Sequence, residues 1–282
     1  MKKFKEFRIF TSPINADLIS GLLWELDING VEEKENFLLA YADENSDIDK
    51  EKLSQLISSL VSHNLIENFK IEEHSVTEKN WNEEWEKNRP IIEISERIII
   101  KPSFREYTPR TGQIVITIDP KMSFGTGEHQ STKLILLSLE KIIQGGEKIL
   151  DIGTGTGILS IAALKLGAGS AFGIDKSKWC IENARENIIT NNVEDSIEIK
   201  FSELSDIKEK NFDIIAANIE RNILLDIAEQ VKLHLKKNGI LILSGLLEED
   251  EEIISKKYNS LGFSLLEKNK MDEWISIIFK LT

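Results

Sequence analysis

A glycine-rich turn between a predicted strand and a predicted helix limits the possible folds of this sequence more than any other segment. The apolar segment KILDIG leads into the turn, which reads DIGTGTG over Asp151–Gly157, and the apolar segment ILSIAALKLG follows it. Because glycine has no side chain, such a turn lets the backbone approach a ligand closely, and the helix behind it offers free N–H groups. The pattern predicts a nucleotide-type binding loop.

Strand and helix patterns alternate from Lys148 to the end of the chain. The apolar segments SAFGID, SIEIKF, FDIIAANI and GILILSG are separated by helix-like segments, two of which span 178–191 and 223–235. Continuous apolar strands covered by amphipathic helices are typical of a doubly wound α/β fold with a mostly parallel sheet. Ligands of such folds bind at the carboxyl ends of the strands.

The segment 1–75 has a different pattern, with the predicted order βαββαβ. This order is that of a small α+β ferredoxin-like domain. Its predicted first helix follows Pro13, and its second contains Leu53 and Leu60. The segment has eight basic and fifteen acidic residues. We therefore assign residues 1–75 to a ferredoxin-like domain.

A connector and a second domain follow. Residues 76–90 form a polar connector helix with Trp81 and Trp85 on one face. We favour packing of these rings on a neighbouring domain. The alternative is a helix that changes its packing as the small domain moves over the active site. Residues 91–282 form the predicted catalytic domain, which starts with three short strands that we expect to form an antiparallel layer.

Composition narrows the class of protein. The chain has 282 residues and a formal net charge of −13, which disfavours a nucleic-acid-binding surface. A basic protein partner fits this acidity, although an ordinary solvated surface is the favoured explanation of the charge. The single cysteine, the charged N-terminus and the lack of a long apolar run predict a cytoplasmic protein that neither spans a membrane nor is exported.

The spacing of the glycines bears on the kind of ligand. A nicotinamide-binding turn has the pattern G-x-G-x-x-G, whereas this turn has G-x-G-x-G behind an aspartate. The predicted strand that follows the turn and its helix ends at Asp175, where a carboxylate can accept hydrogen bonds from both ribose hydroxyls. A helix cap is the alternative role of Asp175.

These residues resemble class I S-adenosylmethionine-dependent methyltransferases, whose loop reads D-x-G-x-G-x-G. The segment Asp119–Thr132, which reads DPKMSFGTGEHQST, is similar to the signature of the PrmA family. Ser131 replaces a threonine of the usual F-G-T-G-x-H-x-T-T pattern and keeps the hydroxyl. The pair Asn218-Ile219 also matches the family, whereas glutamine and DNA-amino methyltransferases have Asn-Pro-Pro-Tyr.

The resemblance implies a seven-stranded methyltransferase sheet that binds S-adenosylmethionine. It implies methylation of lysine side chains or the α-amine of ribosomal protein eleven of the large subunit, a basic partner that the 1–75 domain would recognise. We expect a monomer with no direct nucleic-acid partner. The segment Phe124–Gly127 would close over the cofactor. The implied cofactor contacts are Thr132, Gly153, Gly155, Asp175 and Asn218.

A methyl transfer that depends mainly on aligning the amine with the methyl group of the cofactor needs few special residues. Asn218 cannot accept a proton, but its oxygen could orient the amine, and the alternative is a role in cofactor positioning alone. We expect His129 to fix the shape of its loop rather than to act as a base. Cys180 is expected to be buried packing rather than a nucleophile. The scattered histidines lack metal-ligand spacing, so we predict no metal site.

Three other functions stay open on sequence alone. The same core could methylate another protein or a small amine. A non-enzymatic binding module would keep the fold without the activity. An NAD-dependent oxidoreductase is disfavoured by the glycine spacing. A titration that showed no binding of S-adenosylmethionine would favour the binding module, and the same titration with NAD would test the oxidoreductase. A labelled methyl group would identify the substrate of a methyltransferase.

Overall fold

The structure is a computed structural model in which the chain forms two compact units, Met1–Glu84 and Trp85–Thr282. Most of the predicted connector helix, including Trp81 and Trp85, lies outside the described residues. No described helix is both long enough and apolar enough to cross a bilayer. The described residues are 3–13, 19, 22–23, 26, 28, 30–34, 36–62, 65–77, 90–119 and 123–282.

The first unit contains an antiparallel sheet with the strand order β2-β3-β1-β4, which is the ferredoxin-like arrangement. One helix packs on it by burying Leu53, Ile57 and Leu60 at helical spacing. Most of the predicted first helix lies outside the described residues. The elements are β1 (Lys3–Ser12), β2 (Gly30–Glu33), β3 (Leu38–Asp43), α1 (Lys50–Ser62) and β4 (Asn68–Thr77).

Three short strands open the second unit: β5 (Ile92–Glu93), β6 (Ile98–Lys101) and β7 (Ile114–Thr117). Strand β5 pairs with β6 in the antiparallel sense, but β6 pairs with β7 in the parallel sense. The expectation of a fully antiparallel layer is therefore wrong. The segment 102–113 between β6 and β7 carries the chain back to the starting end of β6, which a tight hairpin does not do.

The main sheet has seven strands in the order β10-β9-β8-β11-β12-β14-β13. The first five in this order are parallel, and β14 runs antiparallel between β12 and β13. This confirms the predicted mostly parallel sheet. The strands are β8 (Lys148–Ile152), β9 (Ser170–Asp175), β10 (Ile197–Phe201), β11 (Phe212–Asn218), β12 (Leu235–Leu247), β13 (Phe263–Met271) and β14 (Trp274–Leu281).

Helices cover both faces of this sheet, as the doubly wound fold requires. Three helices bury apolar side chains in one core, and two bury theirs in a second core on the opposite face. The first three are α2 (Gln130–Ile142), α3 (Ile158–Leu166) and α4 (Lys178–Thr190), and the other two are α5 (Arg221–His234) and α6 (Glu251–Ser260).

The topology brings the sequence motifs to one edge of the sheet. Strands β8, β9 and β11 are neighbours or next neighbours and run parallel, so their carboxyl ends lie side by side. Gly153 follows β8, Asp175 ends β9 and Asn218 ends β11. The chain order also reverses between β8 and β11, which marks the edge where α/β sheets bind ligands.

Candidate active site

A cavity of about 560 Å³ lies at the carboxyl edge of the sheet. Four of the five predicted cofactor contacts line it, namely Gly153, Gly155, Asp175 and Asn218. Phe124 of the signature segment also lines the cavity. The structure therefore brings the two sequence motifs into one pocket.

The glycine loop forms one wall of the cavity. Gly153, Gly155 and Gly157 have φ angles of 73°, 54° and 83°, a region that side chains disfavour. A Cβ on Gly155 would collide with the carbonyl oxygen of Phe124, and a Cβ on Gly153 would lie 2.5 Å from the Ile219 side chain. Both positions need glycine for space as well as for backbone conformation.

The side chain of Asp151 stabilises the glycine loop through hydrogen bonds. Its Oδ2 accepts hydrogen bonds from Thr154 Oγ1 at 2.8 Å, Ser160 Oγ at 2.8 Å and Ser160 N at 3.2 Å. Its Oδ1 is buried and has no partner among the described residues. Burial raises the pKa of Asp151 to about 6, and the charge of Asp175 adds to this rise. The hydrogen bonds from Thr154 and Ser160 lower the pKa and oppose part of the shift.

This pKa predicts a pH-dependent stability. A carboxyl whose pKa is higher in the folded state favours folding at low pH, and the gain is lost as pH rises from about 4 to about 6. Asp151→Asn removes this titration. Between about pH 4.5 and about pH 7.5, the wild type should lose about 2 kcal/mol of unfolding free energy relative to the variant. Urea unfolding at both pH values measures this, and identical pH dependence in the two proteins would contradict it.

Asp175 lies at the tip of β9 with its carboxylate between the loop and the next helix. Its Oδ2 accepts a hydrogen bond from Gly155 N at 2.9 Å, and its Oδ1 accepts one from Ser177 N at 2.9 Å. The N-cap of α4 is Ser177, whose hydroxyl accepts from Cys180 N. An ionised carboxylate has about four acceptor positions, so Asp175 has capacity left for a diol in the cavity.

Asn218 has the most informative environment of the site. Its Nδ2 donates to Thr132 Oγ1 at 3.2 Å, which fixes the orientation of the amide. Its Oδ1 is buried and has no partner among the described residues. A buried acceptor without a partner costs about 1–3 kcal/mol. A ligand that donates a hydrogen bond would remove this cost.

Thr132 is placed differently from the other four predicted contacts. It is 1% exposed, lies in the first turn of α2 and is not among the described residues that line the cavity. Its hydroxyl instead accepts the hydrogen bond from Asn218. Thr132 therefore reaches the cavity through Asn218 in this structure.

A valine at this position tests that role. Thr132→Val keeps the β-branched side chain but removes the oxygen that accepts from Asn218 Nδ2. We expect kcat to fall about tenfold, because one lost hydrogen bond frees the amide to rotate. Steady-state kinetics measures the change. Thr132→Ser keeps the acceptor and serves as the control, so equal losses in the two variants would contradict this role.

Three aromatic rings form a cluster that adjoins the cavity through Phe124. The His129 ring lies 5.4 Å from that of Phe124 and 4.6 Å from that of Trp274, both in edge-to-face geometry. His129 also caps α2, since its Nδ1 accepts from Ser131 N at 3.2 Å. Burial lowers the pKa of the His129 imidazole, and the negative charge of Glu273 opposes part of this shift. These contacts agree with the predicted structural role of His129.

The sequence alone missed part of the cavity. Cys180 is half-buried and lines the cavity, so the expectation that it is buried packing is wrong. It lies in the first turn of α4, just after the Asp175 tip, and that position faces the ligand edge. The spacing of Ile223 and Ile227 was a usable signal, because it places both on one face of α5. The apolar wall comes from Leu204, Ile219, Ile223 and Ile227.

The lining of the cavity suits a ligand that carries both a sugar and an apolar group. Asp175 offers acceptors for the sugar, and the isoleucine and leucine side chains offer an apolar surface. Asn218 and the glycine loop lie along the same cavity and offer a buried acceptor and close backbone approach.

Comparison with known proteins gives matches over most of the chain. A family model described as "Ribosomal protein L11 methyltransferase (PrmA)" matches residues 8–282. A ribosomal protein L11 methyltransferase of Clostridium perfringens is 36% identical over 269 residues, which cover 92% of this chain and 85% of that protein. One of Ruminiclostridium cellulolyticum is 32% identical and covers 99% of this chain and 98% of that protein.

A solved structure gives a match of the same kind. The crystal structure of a ribosomal protein L11 methylase from Lactobacillus delbrueckii subsp. bulgaricus superposes with a TM-score of 0.62. It is 34% identical, and the match covers 67% of this chain and 96% of that chain.

Proposed function

Because this chain belongs to the PrmA family of ribosomal protein L11 methyltransferases, we propose that it transfers methyl groups from S-adenosylmethionine to amino groups of ribosomal protein L11. The observation that carries the proposal is that Asn218, whose buried Oδ1 has no partner among the described residues, lines the same cavity as the glycine loop. This arrangement supports a role of the loop in cofactor binding and a role of the Asn218 amide, which is held by Thr132, in orienting a hydrogen-bond donor.

The lining residues fit the cofactor. Asp175 would accept hydrogen bonds from the ribose hydroxyls, and Gly153 and Gly155 would let the backbone approach the methionine portion. The apolar side chains Leu204 and Ile227 would pack against the adenine. When bound, S-adenosylmethionine supplies an electrophilic methyl group on a sulfonium. Thr132 would act on the cofactor site through Asn218.

Asn218 would orient the substrate amine. Its Oδ1 would accept an N–H of a neutral amine, so that the nitrogen lone pair points toward the methyl carbon. Asn218 would hold the uncharged nitrogen in line with the methyl group that the bound cofactor supplies, and the methylated nitrogen would release its proton to solvent. A lysine must enter uncharged, and desolvation lowers its pKa from about 10.4. The aromatic cluster of Phe124, His129 and Trp274 offers an apolar surface for the lysine stem.

We propose that the first domain, residues 1–75, recognises the protein substrate. Its fifteen acidic and eight basic residues complement a basic ribosomal protein. The targets would be lysine side chains and the α-amine. The net charge of −13 supports a protein rather than a nucleic-acid partner, and a ribosomal substrate supports action in the cytoplasm. We propose that the enzyme works as a monomer.

Transfer of a labelled methyl group tests the proposed function. The full chain is incubated with labelled S-adenosylmethionine and purified ribosomal protein L11, and the product is mapped by mass spectrometry. We expect methyl groups on lysine side chains or the N-terminal amine of L11. Asn222→Ala is the control and should give the same product, because Asn222 is exposed and lies outside the cavity lining. Cofactor binding without transfer to L11, but with transfer to another protein or a small amine in extract, would overturn the proposed substrate.

A further inference from the structure

Three asparagines stand four residues apart along α4 and just beyond it. Asn183, Asn187 and Asn191 are 3%, 2% and 4% exposed. Asparagine is a poor helix former and is rarely buried without partners. Three buried asparagines on one helical face therefore need a reason in the segments that they contact.

Among the described contacts outside α4, two of the three bind only the end of β7 and the start of the signature segment. Asn191 Oδ1 accepts from Thr117 N at 2.9 Å and its Nδ2 donates to Thr117 O at 2.6 Å, as a neighbouring strand would do. Asn183 Nδ2 donates to Asp119 O at 2.7 Å. These bonds fix the end of β7 and the residues just after it.

Asn187 differs because it joins two segments. Its Oδ1 accepts from Asp119 N at 3.0 Å, at the start of the signature segment. Its Nδ2 donates to Thr156 O at 2.9 Å, inside the glycine loop. Both ends of one amide are thus used, one on each of the motifs that build the cavity.

Thr156 continues the connection on the other side. Its N donates to Phe124 O at 3.0 Å, and its Oγ1 donates to Gly125 O at 2.6 Å. The signature segment is therefore tied to the glycine loop by Thr156 and to α4 at Asp119, and Asn187 is bonded to both Thr156 and Asp119. These hydrogen bonds and the backbone between Asp119 and Phe124 thus form one closed network of contacts.

We infer that Asn187 is a positioning residue for cofactor binding, which holds the Phe124 segment and the glycine loop in the spacing that the cofactor needs. The inference rests on the proposed function, since it presumes that the cavity binds S-adenosylmethionine. Asn187 is absent from the described cavity lining, so it acts through Thr156 and Phe124. Its loss should loosen two walls of the cavity together and thus lower cofactor affinity more than turnover.

The test compares Asn187→Ala with Asn191→Ala in the full chain. The two residues have the same type, nearly the same burial and bonds to backbone atoms, but Asn191 has no bond to the glycine loop among the described contacts. Calorimetric titration with S-adenosylhomocysteine gives Kd, thermal melting gives stability, and steady-state rates give kcat and the KM for S-adenosylmethionine.

We expect Asn187→Ala to raise Kd and KM about tenfold and to change kcat less than about threefold. Asn191→Ala should lower the melting temperature by a similar amount but change Kd less than about threefold. Equal Kd values in the two variants would overturn the inference. If Asn187→Ala does not fold, Asn187→Asp, which keeps the acceptor for Asp119 and removes the donor to Thr156, decides by the same comparison. Failure of the wild type to bind S-adenosylhomocysteine would instead overturn the proposed function.

Discussion

Gly155→Ala is expected to lower the affinity for S-adenosylmethionine about a hundredfold or more. The new Cβ would collide with the Phe124 carbonyl oxygen, which is backbone and is held in place by Thr156 N. The loop and the Phe124 segment must then move apart, and the positive φ of 54° adds strain. Gly155 N would also lose its hydrogen bond to Asp175. Calorimetric titration with the cofactor measures the effect.

Gly112→Ala provides the matched control. Gly112 has a positive φ of 86°, so alanine is strained there too, but no described atom lies within 4 Å of the place that the new methyl group would take. Strain of about 1–2 kcal/mol without a collision should lower stability and leave cofactor affinity unchanged. Cofactor affinity that falls equally in both variants, or in neither, would contradict the role given to the glycine loop.

Asn218→Ala is expected to lower kcat about a hundredfold and to change the KM for S-adenosylmethionine only a few-fold. The variant removes a buried acceptor of the site that lacks a partner among the described residues. Without it, the amine loses the hydrogen bond that sets its direction, and loss of alignment costs about this much. Steady-state kinetics with ribosomal protein L11 separates the two constants.

Two further variants test whether the loss of kcat in Asn218→Ala comes from the missing oxygen. Asn218→Asp keeps an oxygen that can accept from the amine, and its carboxylate can accept from the Thr132 hydroxyl, so it should lose less kcat than Asn218→Ala. Asn222→Ala changes an exposed asparagine in the next helix and should have no effect. A raised KM with an unchanged kcat in Asn218→Ala would favour the alternative in which Asn218 only positions the cofactor.

Much of the fold was predictable because local patterns carry it. Period-two and continuous apolar segments separated by amphipathic helices indicated the parallel sheet, and parallel strands place their carboxyl ends together by geometry. That is why Gly153, Asp175 and Asn218, which are far apart in the sequence, could be expected at one edge. Their contacts with a cofactor stay predictions.

The parts that were not predictable depend on contacts between distant segments. The parallel pairing of β6 with β7 depends on the path of the intervening chain, which has no regular pattern. The ring contact of Trp274 with His129 depends on the position of β14 beside β12. The burial of Thr132 and the bridging role of Asn187 follow from the packing of α2 and α4, and neither residue differs in type from an ordinary surface residue.

The decisive measurement is a crystal structure of the full chain with S-adenosylhomocysteine. We expect density in the cavity at the carboxyl edge of the sheet, with the ribose hydroxyls on Asp175 and the sulfur facing Asn218. Density for the ligand at any other place, with this cavity unchanged from a crystal grown without it, would contradict the assignment of the cofactor site.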